Sequence, residues 1–409
     1  MRIPELLCPA GNMDSLEAAL HFGADAVYGG MKQYGLRAFA GNFDPDALSE
    51  AVKKTHSAGK KFYVTMNMYP YDDELEGFVR AARDAADRGV DAAIVADPGA
   101  IRLLRTQVPQ LPIHVSTQAN TLNTPTVNLY REMGCERVIL ARETGLDRIR
   151  RICENAGDAI QIETFVHGAS CMAYSGRCML SAYLTGRSGN RGACAQPCRW
   201  EYAVMERKRP GEYMPVSEDE NGTYLFSARD LNLMPLLPEL CTAGVSSLKI
   251  EGRMKTEYYV AVVTGAYRRA LDLLRNGREC FTEELPALMD ELLNASHRDS
   301  DTGFLLGDPE IPAGAEGFHQ NREYTGRVVD VHGDGTASIL LKNRFFAGDE
   351  LELMTGTGII PVKATAFIRE KTGEVTETLG IAGETVRMSL PEITAVGDML
   401  RGPVRNHRK

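Results

Sequence analysis

From Ile3 to about Phe165, short apolar runs alternate with longer stretches of helical period, the pattern that builds parallel strands joined by helices. The runs predict strands at ELLCPA (5–10), ADAVYG (24–29), KFYVTMN (61–67), AAIVAD (92–97), PIHVST (112–117), RVILAR (137–142) and IQIETFV (160–166). Helices are predicted between them, among others from Met13 to Phe22, Pro45 to Ser57 and Asp73 to Arg88. An eighth strand, VSSLKIEG, comes only near residue 250 and precedes a helical stretch from Thr256 to Arg275. The fold class is therefore α/β: a TIM-type (β/α)8 barrel over residues 1–310, with a cysteine-bearing insertion at about 171–243 before the last β/α unit. After about Gln320 the texture changes to GRVVDVH, ASILLKN, ELELMTG and VRMSL, with turn residues such as His-Gly-Asp-Gly at 332–335. These predict a small C-terminal β-barrel domain over 320–400. The tail, 401–409, carries Arg405, His407, Arg408 and Lys409 and is expected to be basic and disordered.

A barrel of this kind keeps its chemistry at the C-terminal ends of its strands. There the chain places Cys8 and Asn12, Tyr28, Asn67, Asp97, then Ser116, Thr117, Gln118 and Asn120, then Arg142 and Glu143, Glu163 and His167, and last Lys249, Glu251 and Arg253. Capping or salt bridging accounts for any one of them; their shared position singles them out. Glu163 and His167 are the candidate catalytic residues, and Gln118, Arg142, Lys249, Glu251 and Arg253 the candidate substrate-binding ones. Lys249, Glu251 and Arg253 alternate, which puts three charges on one strand face, a costly arrangement unless partners or a charged ligand meet them. Two cations flanking one carboxylate favour a small dianionic co-substrate; a structural salt-bridge network is the competing explanation.

Composition narrows the chemistry. The 409 residues are 44% hydrophobic with a net charge of −9, ordinary for a globular protein and against nonspecific binding along a phosphate backbone. No apolar run approaches the roughly 20 residues of a membrane span and the start lacks a signal-peptide layout, so a cytoplasmic location without membrane contact is expected. Homo-oligomerisation is left open. Locally the charge reverses: Arg187, Arg191, Arg199, Arg207, Lys208 and Arg209 face only Glu201 and Glu206, which makes the six basic residues either a solvated loop or candidate contacts to a polyanion such as RNA. Nine cysteines make a closed disulfide framework improbable for a long chain. Four of them, Cys171, Cys178, Cys194 and Cys198, form a candidate metal site; zinc and a [4Fe–4S] cluster both accept four thiolates, and spacing alone does not separate them. Cys135, Cys153 and Cys241 read as small core residues, Cys280 as a surface thiol, and Cys8 is less easily placed. The GxSxG, P-loop and GxGxxG patterns are absent, which removes the usual hydrolase, nucleotide-triphosphatase and dinucleotide readings.

The segment Glu163-Thr-Phe-Val-His167-Gly168-Ala-Ser-Cys171-Met-Ala-Tyr-Ser-Gly176-Arg-Cys178-Met-Leu-Ser181 closely resembles the signature of the collagenase-like peptidases of family U32, departing only at Ser170, where the pattern has an aliphatic residue. The likeness extends to LLCPAGN at 6–12, STQAN at 116–120 and SLKIEGRMK at 247–255. RGACAQPCRWEY and the following RPGEYMPVSEDENGTY look most like the branch that hydroxylates the wobble uridine of tRNA to 5-hydroxyuridine with prephenate as co-substrate. The resemblance implies a tRNA partner and an iron–sulfur cluster held by Cys171, Cys178 and Cys194. Some relatives carry a fourth cysteine just after the Asp-Leu corresponding to Asp230-Leu231; this chain has Asn232, which leaves Cys198 as the nearest thiolate. Proteolysis, cluster chemistry on another substrate and a non-enzymatic RNA adaptor are the alternatives. For proteolysis, Glu163 with His167 lacks the two-histidine helix of HExxH, and Cys171 with His167 is the remaining nucleophile–base pair.

Overall fold

The computed structural model describes residues 2–37, 40–171, 173–200, 218–219, 222–223, 229–307, 318–379 and 382–405. Seven parallel strands pair in chain order: β1 (Glu5–Pro9), β2 (Ala26–Gly30), β3 (Lys61–Met66), β4 (Ala92–Val95), β5 (Ile113–Val115), β6 (Arg137–Ile139) and β7 (Gln161–Ala169). The insertion then adds a short strand, β8 (Asp230–Asn232), antiparallel to the end of β7, before β9 (Ser247–Ile250) closes the barrel by pairing in parallel with both β7 and β1. A two-residue strand, β10 (Ser300–Asp301), extends the sheet beyond β8. All eight barrel strands were read from the sequence, because strands buried on both faces leave continuous apolar runs.

The first six barrel helices are α1 (Met13–His21), α2 (Pro45–Ser57), α3 (Leu75–Asp87), α4 (Pro98–Gln107), α5 (Thr124–Glu132) and α6 (Leu146–Ala156). Short side chains fix several of their starts. Asn12, Asp44, Asp97 and Asn123 each accept the amide three residues on, with proline at the first or second helical position after the last three. Asn12 and Asp97, at strand ends, are thus helix caps. α3 begins two residues later than expected, after a 3-10 turn at Asp72–Glu74. The insertion holds α7 (Leu180–Thr185) and α8 (Leu237–Thr242), and β9 leads into α9 (Glu257–Asn276) and α10 (Arg278–Leu292). Cys8 belongs to the core: it is fully buried, accepts a hydrogen bond from the Thr264 hydroxyl at 3.3 Å, and burial pushes its thiol up to about 12. Among the described residues, no helix is long and apolar enough to cross a membrane.

The C-terminal unit, expected as a small β-barrel, is a separate antiparallel sheet. Its strands are β11 (Arg322–Val331), β12 (Thr336–Leu341), β13 (Glu350–Thr355), β14 (Gly358–Lys363), β15 (Phe367–Arg369), β16 (Val375–Thr376), β17 (Thr385–Ser389) and β18 (Met399–Pro403), in the order β14-β13-β18-β11-β12-β17-β15-β16. Among the described residues the two edge strands do not pair with each other. The expected tail is also corrected: Arg401 lies inside β18, is 2% exposed, and holds Glu291 of α10 in a bidentate pair at 2.6 and 2.7 Å. Residues 406–409 lie outside the described residues.

Candidate active site

The strand ends converge on a cavity of about 70 Å³ at the barrel mouth. Gln118, Arg142, Lys249, Glu251 and Arg253 all line it, together with Tyr28, Arg37, Thr65, Asn67 and Cys171. Its wall carries four cations, Arg37, Arg142, Lys249 and Arg253, around one carboxylate. Glu251 receives Arg37 at 3.6 Å and Arg142 at 3.5 Å. Burial alone would raise its carboxyl, yet the two guanidiniums hold it below the usual range. The Arg142 guanidinium carbon stands 3.9 Å from the Phe165 ring centre, and the Lys249 ammonium 4.3 Å from that of Tyr28. Arg253 donates to the Leu36 carbonyl, the Thr65 hydroxyl and the Asn42 side chain, while its Nε has no partner. Burial pushes Arg253 down to about 10, so it remains charged at neutral pH.

Beneath the cavity the barrel interior is charged where such barrels usually stack branched apolar side chains. Glu163 is completely buried and takes Lys249 at 3.0 Å and Arg137 at 2.9 Å; Arg137 continues to Glu5 at 2.6 Å. Its desolvation is outweighed by Lys249 and Arg137, which hold the carboxyl below its ordinary value. Lys249 therefore faces both readings made from sequence, one of its contacts being structural and its cavity wall open to a ligand.

Strand alternation predicts that Glu163 and His167 share a face, and the structure separates them. Between Lys249 and Ile250 the β7–β9 register shifts, so Phe165 stands opposite Lys249 and His167 opposite Ile250, with Val166 as the extra residue of a bulge. Glu163 points into the barrel, while the His167 ring packs against Tyr259 and Tyr267 of α9 at 6.2 and 5.5 Å. Burial pushes His167 down to about 4, so it is neutral at physiological pH. Neither side chain lines the mouth cavity.

The cysteine-bearing insertion docks against the rim of the mouth. Ser175 donates its amide and hydroxyl to Glu143, at 2.6 and 3.2 Å. Gly176 has φ +73, and a β-carbon there would lie 2.1 Å from the Gln118 carbonyl oxygen, so only glycine allows this approach. Arg191 reaches Glu74 through both terminal nitrogens and stacks over Tyr71 at 4.0 Å. It is thus a docking residue, unlike the RNA contact expected. Arg187 is exposed, the Arg199 backbone sits in a 3-10 turn at Pro197–Arg199, and Arg207, Lys208 and Arg209 lie outside the described residues.

A second cavity, about 290 Å³, adjoins the first. Cys171, Cys194 and Cys198 line it, and it shares Arg37, Cys171 and Glu251 with the mouth cavity. Cys178 is half-buried in the same module but outside that lining. None of the four is in a disulfide, and the Gln196 amide donates to the Cys194 sulfur at 3.3 Å. Among the described residues, no three His, Cys, Asp or Glu side chains stand close enough together to hold a metal ion. Arg37, which borders both cavities, was missed in the sequence. No motif marks it, although its place in the loop after β2 puts it at the barrel's active end, the one available signal.

Residues 11–314 match peptidase family U32, and residues 320–401 match the C-terminal domain of that family. The chain belongs to peptidase family U32. Among its U32 relatives, tRNA hydroxylation protein P of Escherichia coli is 37% identical over 432 residues, covering 95% of this chain and 94% of the relative. The 23S rRNA 5-hydroxycytidine C2501 synthase of the same organism is 40% identical over 270 residues, 66% of this chain and 39% of that longer protein. A collagenase of Porphyromonas gingivalis is 34% identical over 314 residues, 74% of this chain and 73% of the relative.

Proposed function

We propose that this U32 chain hydroxylates RNA, specifically the wobble uridine of tRNA to 5-hydroxyuridine, with prephenate as co-substrate and a [4Fe–4S] cluster held by the insertion. The observation that carries the reading is end-to-end likeness to a tRNA hydroxylation protein, 95% of this chain at 37% identity. The sites fit it. Arg37, Arg142 and Arg253 would bind carboxylates of a dianionic co-substrate in the mouth, their planar forks suited to bidentate contact. Lys249 would add a point charge and Gln118 a neutral hydrogen-bonding group. Cys171, Cys194 and Cys198 border one cavity, with Cys178 in the same module, and would have to close in on one another to hold a cluster, which would supply one-electron chemistry beside the anion pocket. Glu163, sealed between Lys249 and Arg137, would position the lysine and take no proton from substrate.

Peptide hydrolysis gains little from these residues. Glu163 and His167 face opposite ways, and a cluster on Cys171 would silence its thiolate as a nucleophile. Nucleoside analysis of tRNA from cells lacking the chain tests the reading. Loss of 5-hydroxyuridine and its derivatives is expected. An unchanged profile, together with gelatin cleavage by pure protein that vanishes when Cys171 or His167 is replaced, would return the chain to the proteases.

A further inference from the structure

The insertion carries an outward face that the docking contacts and the thiol cavity leave unused. Tyr174, Met179 and Tyr183 are 63%, 68% and 87% exposed, and Trp200, the single tryptophan of the chain, is 43% exposed. Scattered exposed apolar residues are ordinary, but here four large ones, three of them aromatic, fall within one short module. Three of them, Met179, Tyr183 and Trp200, come from segments in contact. The Tyr183 amide bonds to the Met179 carbonyl at 2.9 Å, which sets these two side chains on one face of α7, and α7 packs against the turn that leads into Trp200. From Ser170 to Trp200 the chain has four arginines and no acidic residue, within a protein of net charge −9. Arg191 is committed to Glu74; Arg177 and Arg187 are exposed on the module, with the Arg187 Nε donating to the Ala193 carbonyl at 3.1 Å.

We infer that this face, with Tyr174, Met179, Tyr183 and Trp200 flanked by Arg177 and Arg187, is a stacking platform for unpaired nucleotides of the RNA substrate. The inference rests on the RNA reading above and names the surface that reading needs. Rings rather than aliphatic chains suit a base, because every base has a π-face to stack on, and arginine serves both phosphate and base planes. The stretch from Ser170 to Trp200 adds no carboxylate of its own to repel a phosphate backbone, unlike the chain as a whole. Position supports the same occupant. The inner side of the module lines the cavity shared with the barrel mouth, so bases stacked outside would hold a single-stranded loop over the opening.

The test uses the full-length protein and two probes, a fluorescently labelled oligouridine and an RNA duplex of equal length. Oligouridine should quench Trp200 emission and bind more tightly than the duplex. Tyr183→Ala should weaken oligouridine binding roughly fivefold to a hundredfold, the range for one stacked base. Tyr183→Leu should do the same, and Tyr183→Phe should restore most of the affinity, a pattern that a merely apolar contact would not give. If oligouridine binds and Tyr183→Leu binds it as tightly as the wild type, the stacking face is wrong and the RNA reading stands. If the wild type binds neither probe, the RNA reading itself fails. Concentration-dependent dimerisation lost in Tyr183→Ala, with RNA affinity unchanged, would assign the face to a second copy of the chain.

Discussion

Glu163 and His167 show what residue type and spacing can and cannot reveal. Their presence near a strand end was legible, but the bulge that turns one inward and the other toward α9 was not, because one extra residue inverts every later side chain on a strand. The charged triplet Lys249, Glu251 and Arg253 fared better: all three line the mouth, although Lys249 and Arg253 are also tied to Glu163 and to the loop after β2. His167 carries a pH dependence whose sign follows from its burial. Its folded value, about 4, is depressed below the ordinary 6.5. Above pH 6.5 the ring is neutral whether the chain is folded or not. As pH falls from 6.5 toward 4, only the unfolded chain takes up the proton, so folding stability declines by about 3 kcal/mol across that window. Urea midpoints at pH 7 and pH 4.5 should therefore diverge more for the wild type than for His167→Asn. Equal divergence would mean that His167 is not buried in its neutral form.

Among the elements, the barrel strands and most helix starts were readable because they rest on local signals, apolar runs and short capping side chains followed by proline. The cysteine module was readable as a composition but not as a docked structure, since its fit depends on contacts with residues far away in sequence, Glu74, Gln118 and Glu143. Gly176 is the tightest of those contacts. A side chain there meets both a positive φ and the Gln118 carbonyl, so Gly176→Ala should shift the module without disturbing the barrel core. Anaerobically purified wild type is expected to hold on the order of four irons per chain. Gly176→Ala should lose most of that iron while unfolding at nearly the wild-type temperature, and Cys135→Ser, in the barrel core, should keep it. Full iron in Gly176→Ala, or zinc in place of iron in the wild type, would contradict the placement of the cluster.

Across the whole molecule, the C-terminal unit expected as a small β-barrel is a separate antiparallel sheet fastened to the barrel domain. Arg401 reaches Glu291 across the boundary, His21 meets Asp398 at 2.7 Å, and Tyr258 stacks on Tyr324 at 5.2 Å. Sequence texture says little about contacts between the two units, since Tyr258–Tyr324, Glu291–Arg401 and His21–Asp398 pair residues far apart along the chain. The two cavities, by contrast, are lined by the barrel and its insertion, with Phe318 the one exception, and there the insertion brings its thiols beside the cationic mouth. The proposed function requires these two parts to work together on RNA. That requirement is tested by the 5-hydroxyuridine content of tRNA in cells lacking the chain and re-expressing either the wild type or Cys178→Ser. The wild type should restore the nucleoside, and Cys178→Ser, present at similar levels and folded, should not. Restoration by Cys178→Ser to the wild-type level would contradict a cluster-dependent hydroxylation, and failure of the wild type to restore it would contradict the assignment to tRNA.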